Sequence, residues 1–224
     1  MSPHEPPGFL GSAVGSHLGE LADASAPWTE SRAASAPDLT YELLHHEPGF
    51  AVLPSAVLAE VADCLTFIFE HTRFWDLLFV ESVAGPSQFS ESRTVQAGVS
   101  RETAIQLGRT VGLDISAEGD VWLAKTKAEL TTEWTKLTNN TVRIDTETQL
   151  TRAVEYPVPD GGMDIAMWQL GSRFMRRLIL RRGAHLPPDP IPAWAEMALA
   201  VPPRLATVPS TVVRTMTRTR ESQQ

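Results

Sequence analysis

A chain of 224 residues with 19 Lys+Arg against 27 Asp+Glu carries a formal net charge of -8, which argues against nucleic acid as its main partner, because phosphate recognition needs a basic surface. Its length suits one well-buried domain, or one domain plus a tail. A lone cysteine, Cys64, excludes an internal disulfide framework and reads as a buried thiol, and no run of about 18 apolar residues is present to cross a membrane as a helix.

Residues 1–38 are rich in Pro, Gly, Ser and Ala and read as a disordered tail with a short helical piece over 14–22. Such a tail is either a solvated extension or an arm that docks to a protein partner. The first 21 residues lack a basic stretch followed by a continuous apolar one, so no ordinary secretory signal is expected. The chain is expected to be synthesised soluble in the cytoplasm, with any export by another route. A β-rich domain over 39–210 and a flexible C-terminal tail over 211–224 complete the expected organisation, the tail's alternating Thr and Arg allowing a last edge strand as well.

The adjacent His45 and His46 point to different sides of either a helix or a strand and have no helical His/Glu companion, so they are expected to bind no metal. After Pro54, residues 55–69 place Val57, Leu58, Val61, Leu65 and Ile68 on one helical face, with Ser55 as N-cap. The apolar run 74–80 reads as a buried strand ahead of Gly85-Pro86, and 89–99 and 105–115 read as further strands. In the last of these Ile105, Leu107, Val111, Leu113 and Ile115 sit at odd positions. The glycines lack the spacing of a dinucleotide or phosphate loop.

Residues 121–158 carry the strongest period-two signal. Trp122, Ala124, Thr126, Ala128, Leu130, Thr132 and Trp134 alternate with Lys125, Lys127, Glu129, Thr131, Glu133 and Thr135, and Val142, Ile144, Leu150, Val154, Tyr156 and Val158 repeat the pattern. An antiparallel hairpin with Asn139-Asn140-Thr141 as its loop places Trp134 opposite Thr146 and Leu130 opposite Leu150. A helical reading of the first half stays open, because Leu123, Leu130, Trp134 and Leu137 also fall near helical spacing among good helix formers. The hairpin is either a layer of a sandwich or a membrane-inserting element; from Trp122 to Trp134 it would rise roughly 28 Å at a ~45° tilt, close to the ~25 Å apolar band of barrel proteins. Its membrane-facing residues would be Trp122, Ala124, Ala128, Leu130, Trp134, Val142, Ile144 and Leu150.

After a turn at Asp160-Gly161-Gly162, residues 163–180 form an apolar strand or strand pair. Arg173, Arg176, Arg177, Arg181 and Arg182 then make a basic cluster that is either a contact for anionic headgroups or a charge-protected sheet edge. Residues 186–209 hold seven prolines and read as an irregular covering segment with a short helix over 193–200. The expected fold is mainly β: an elongated antiparallel sheet or sandwich with a long amphipathic hairpin and one or two short helices.

Phe50-Ala51-Val52-Leu53-Pro54-Ser55, Phe74-Trp75-Asp76-Leu77-Leu78-Phe79, Val111-Gly112-Leu113-Asp114-Ile115-Ser116-Ala117-Glu118, the Thr-rich hairpin and Ala166-Met167-Trp168-Gln169-Leu170 occur in this order over residues 50–180. This succession resembles the aerolysin-like, epsilon-toxin and mosquitocidal-toxin class of bacterial β-pore-forming proteins. The resemblance implies a toxin-like chain that forms a homo-oligomer and inserts its hairpin into membrane lipid, with no catalytic residue, metal or cofactor. The hairpin departs from that class by carrying more bulky and charged residues than the usual Ser/Thr run, and no separate receptor-binding domain is evident. The competing expectation is a non-enzymatic β-sandwich interaction or structural module that docks to a protein partner.

Overall fold

The computed structural model describes residues 27–113, 122–139, 141–145, 147–181, 183 and 193–220, with the side chains of the long helix described from Thr126 onward. Just under half of these residues lie in six strands. They are β1 (Trp28–Ala34), β2 (Leu65–Val83), β3 (Ser87–Ala97), β4 (Thr148–Val158), β5 (Met163–Leu180) and β6 (Arg204–Thr219). Five helices accompany them: α1 (Pro37–Leu44), α2 (Ser55–Cys64), α3 (Arg101–Val111), α4 (Trp122–Thr138) and α5 (Ala193–Ala200). The chain is therefore mainly β and antiparallel, with more helix than its sequence suggests.

β2 is rich in Phe, Thr and Val and β6 in Thr and Val, side chains that pack well on a pleated surface, whereas β5 holds many helix formers and is a strand through its pairing with both neighbours. They pair in the order β1-β2-β5-β6, all antiparallel. β1 pairs only with the half of β2 from Ile68 to Arg73. In this upper half Phe67, Phe69, His71, Phe174, Arg176 and Leu178 share one face, the front, since directly paired residues point the same way. The helices gather there, enclosing a core of Leu43, Leu44, Phe50, Leu58, Phe69, Leu107, Leu130, Trp134 and Phe174 among others. In the lower half the back face is covered instead. β3 and β4 form a separate two-stranded sheet whose Phe89 and Val158 pack on Phe79, Met163, Ile165 and Met167.

Several expectations need correction. Residues 28–34, counted with the tail, form β1 and start the sheet. Helix α2 ends at Cys64, where Leu65 begins β2, and Ser55 follows an N-cap at Pro54 rather than capping the helix. Cys64 is only partly buried. The strand read over 105–115 is helix α3 as far as Val111; 114–115 lie outside the described residues. Ser100 accepts a hydrogen bond from the Thr103 N–H, Glu102 sits in the first turn, and Gly112 closes the helix with φ 78°. Ala104, Leu107 and Val111 then share its buried face. The C-terminal region holds β6 as far as Thr219.

The largest correction concerns 122–138, which is helix α4. Burial recurs every fourth residue, at Thr126, Leu130, Trp134 and Thr138, while Ala128, Thr132 and Lys136, on the same side under a period of two, are exposed. Threonine is accommodated because Thr132 and Thr138 donate their hydroxyls to the carbonyls of Ala128 and Trp134 one turn back. Asn139 does adopt the left-handed conformation (φ 50°), but as the end of a helix rather than in a hairpin loop. Strand β4 pairs with β3, so Leu150 lies opposite Val95 and not Leu130.

Candidate functional site

The β3–β4 ribbon is a ladder running from Ser87↔Val158 to Ala97↔Thr148, each strand 11 residues long. Its outer face pairs Gln88 with Pro157, Ser90 with Glu155, Ser92 with Ala153, Thr94 with Thr151 and Gln96 with Gln149. All ten are exposed, and Glu155 carries the single charge. The inner face pairs Phe89 with Tyr156, Glu91 with Val154, Arg93 with Arg152 and Val95 with Leu150. Phe89 and Val95 are buried, whereas Arg93 is exposed, bonds Glu91 at 2.9 Å and stacks 4.8 Å from the Phe79 ring. Two arginines facing each other across a ladder repel, so this ribbon is a poorly cohesive element.

The ribbon is fastened near its upper end. Gly98 donates its N–H to the Pro209 carbonyl at 2.6 Å, and the buried Gln169 amide donates to the carbonyls of Gln96 and Ser210, both at 2.8 Å. Between β3 and β4 the chain leaves the ladder to build α3 and α4 and returns through 141–147, where the Val99 N–H bonds the Asp145 carbonyl. Val142 and Ile144, expected on a membrane-facing strand, lie outside any described strand and are buried in the helical core. So are Leu130 and Trp134; Trp134 meets Phe69 edge-on at 6.0 Å and Phe174 at 4.8 Å. Ala128 is exposed on α4 and Leu150 is half-buried on β4. Trp122 and Ala124 belong to α4, and their side chains lie outside the described residues.

The arginines expected to form one basic surface are divided. Arg176 is buried on the front face, pairs with Glu47 and stacks 4.7 Å from Phe67; Arg204 holds the same carboxylate at 3.1 Å. Burial lowers the Arg176 pKa to about 10, against the pull of Glu47 and with the help of Arg204. This residue is thus a core ion-pair member and not a surface contact, because strand alternation sends it to the opposite face from Arg173 and Arg177. Those two are half-buried on the upper back face, where Arg173 stacks 5.3 Å from Phe74. Arg181 is half-buried just past β5, and Arg182 lies outside the described residues.

Two further sites with titratable side chains escaped the sequence. His71 is buried, stacked parallel to Phe174 at 4.8 Å and bonded through Nε2 to Ser172; burial, aided by Arg73 and opposed by Glu30, lowers its pKa to about 4. At the lower end, burial alone would raise the Asp164 pKa, but hydrogen bonds from Ser82 and Arg218 and the charges of Arg220 and Arg218 hold it low. His45 and His46 are exposed beside a depression lined by Leu39, Glu42 and Val111. Among the described residues no group of three or more His, Cys, Asp or Glu could hold a metal ion.

No family model matches this chain, and no curated protein matches it. Among solved structures it is similar to Cry35Ab1, with 9% sequence identity and a TM-score of 0.46 over 86% of this chain and 46% of that one. It is also similar to the oligomeric pore-forming toxin pro-Monalysin, with 9% identity and a TM-score of 0.27 over 68% of this chain and 64% of that one. The chain spans about half the length of the first and under two thirds of the second.

Proposed function

We propose that this chain is a toxin-like, membrane-active β protein that forms a homo-oligomer and extends its β3–β4 ribbon into a lipid bilayer by refolding residues 98–147. One observation carries the reading. The ribbon's register, continued past Ala97↔Thr148, pairs Leu107 with Thr138, Val111 with Trp134, Leu113 with Thr132, Ile115 with Leu130 and Ala117 with Ala128. The two period-two patterns would then fall on one face, continuous with the inner face of the ribbon that packs on the sheet.

Between the Arg109–Lys136 pair and a turn near Trp122-Leu123, that face carries no charge over 111–121 and 124–134. Eleven residues per arm is the length of a tilted membrane strand, and the opposite face, with Gly112, Asp114, Ser116, Lys127, Glu129 and Thr131, suits a wet lumen. The ribbon itself is less suited to lipid, since Arg93 and Arg152 near its middle would each cost ~2–4 kcal/mol in the bilayer centre. It serves better as the stalk from which the hairpin grows. Ala124, Ala128, Leu130 and Trp134 keep the lipid-facing role in this reading, with 111–121 rather than 142–158 as their partner strand. Arg173 and Arg177, half-buried on the upper back face, are the residues this reading assigns to anionic headgroups. The non-enzymatic character of the chain is part of this proposal.

Dye release from liposomes tests it, with an environment-sensitive label at Thr132→Cys or Thr131→Cys in a Cys64→Ser chain. Release is expected, with the label entering an apolar medium at position 132 and staying in water at 131. Absence of release at every lipid composition and pH, or identical behaviour of both labels, overturns the reading.

A further inference from the structure

His71 sits where helix α4 is fastened to the main sheet. It is 2% exposed, pairs with Phe174 across β2 and β5, and lays its ring parallel to the Phe174 ring at 4.8 Å. Trp134 of α4 contacts that same Phe174 ring, also at 4.8 Å, and meets Phe69 on β2. Imidazole, phenyl and indole thus make one chain of ring contacts from the sheet to the helix.

The polar atoms of that chain are poorly served. Nε2 of His71 shares a hydrogen bond with the Ser172 hydroxyl at 3.2 Å, while Nδ1 is buried with no partner among the described residues. The Trp134 Nε1–H is buried without an acceptor as well. A neutral imidazole tolerates this, since it leaves one nitrogen bare. An imidazolium needs acceptors for two N–H groups and compensation for a full charge.

The surroundings offer neither. Glu30 on β1 favours the cation, but it pairs with Arg73 at 3.6 Å, and Arg73, on the same strand as His71, opposes it. On β5 Ser172 is neutral, and Arg176, on the same face beyond Phe174, is itself a cation paired with Glu47. Helix α4 packs on β1 and β2 and buries Thr126, Leu130, Trp134 and Thr138, none of them charged. Ser31, directly opposite His71 on β1, has a buried hydroxyl that makes no hydrogen bond to it.

We infer that His71 is an acid-operated catch for α4: protonating its imidazole forces the His71–Phe174–Trp134 contacts apart and frees the helix from the sheet. The helix carries 124–134, the arm that must leave the core if residues 98–147 are to extend the ribbon. Its role as a trigger rests on the membrane reading, whereas the release of α4 by acid does not. Burial, aided by Arg73, lowers the His71 pKa from 6.5 to about 4 while the catch is shut. The shut form therefore holds its full advantage above pH 6.5 and loses it as pH falls toward 4. One proton allows at most about a tenfold rise in the open-to-shut ratio per pH unit, and about 300-fold in all.

Spin labels at Ala128→Cys on α4 and Thr207→Cys on β6, both exposed positions, read the separation of helix and sheet in the full chain carrying Cys64→Ser. Pulsed electron paramagnetic resonance is expected to give one distance at pH 7.5 and a second, longer population that grows as pH falls to 4.5. His71→Asn is expected to keep the single distance throughout. Glu30→Gln and Arg73→Gln break the same ion pair yet should act oppositely, the first widening the acid response and the second narrowing it. An unchanged distance in the wild-type chain, or an equal acid response in His71→Asn, overturns the inference. A change of the same sign in the two ion-pair variants overturns it too, and decides the matter should His71→Asn fail to fold. Dye release from liposomes, followed on the same samples, separates the two readings: opening without release supports the catch and overturns the membrane reading.

Discussion

The two ends of the long sheet are covered in different ways. The upper end is closed by helices whose buried stripes interdigitate with Phe67, Phe69 and Phe174, with Glu47 and Arg176 buried there and the half-buried Arg204 completing the cluster. The lower end is closed on its back by a two-stranded ribbon with opposed arginines on its packing face and an outer face of Ser, Thr and Gln. A helical cover of this kind stands or falls on a few large side chains. A ribbon closes most of its own hydrogen bonds, so parting from the sheet gives up only the ties at its upper end, from Gly98 to Pro209 and from Gln169 to Gln96.

Mutations should therefore act unequally at the two ends. The largest effect is expected for Trp134→Asp, which puts a charge into the site where Phe69 and Phe174 converge; a loss of at least ~4 kcal/mol in urea unfolding should detach α4. If its stability matched wild type, the helical cover would not be what holds the upper end. Glu47→Gln leaves the buried Arg176 without its carboxylate and should cost about 3–4 kcal/mol by the same measurement.

Acid should weaken the upper end as well. The pKa of His71 is lowered in the folded chain from 6.5 to about 4. Between these values the unfolded chain binds the proton and the folded one does not, so stability is full above pH 6.5 and falls as pH drops toward 4. The loss approaches roughly 3 kcal/mol by linkage. A His71→Asn variant should flatten that part of the pH–stability curve. Gly112→Ala, at φ 78° and with its new Cβ 2.6 Å from the Leu43 side chain, should cost about 1–2 kcal/mol. Arg93→Ala on the ribbon should change stability by less than ~1 kcal/mol, because the guanidinium itself is exposed and its pair with Glu91 is solvated. A large loss there would erase the contrast between the two ends.

The strands were legible wherever a period-two pattern or a short apolar run met no competing helical pattern. Residues 74–80, 89–97, 148–158 and 163–180 all lie in strands, and the Asp160-Gly161-Gly162 turn precedes β5. Where two periods coincided the sequence was ambiguous. In α4 the residues buried at 126, 130, 134 and 138 are every second member of the even-numbered set, so a helix and a strand use the same large side chains. In α3 the deciding signals were local: Ser100 ahead of Glu102 and Thr103, with Gly112 to stop the helix. The Glu47–Arg176 pair joins positions 129 apart, and no local pattern in the sequence marks it. The poor cohesion of the ribbon was invisible for the same reason, since it arises from Arg93 meeting Arg152 across the fold.

Gly98 is where the ladder stops. Its backbone turns to φ 86° and its N–H goes to Pro209, so the hydrogen bond that would add another rung is given to β6 instead. In the proposed membrane reading this is the first of the few teeth that hold the zipper: α3 and α4 store the residues beyond it, and its release lets the closure run on. A bulkier side chain at this position would resist that twist of the main chain, so the stored shape depends on an atom this residue does not have.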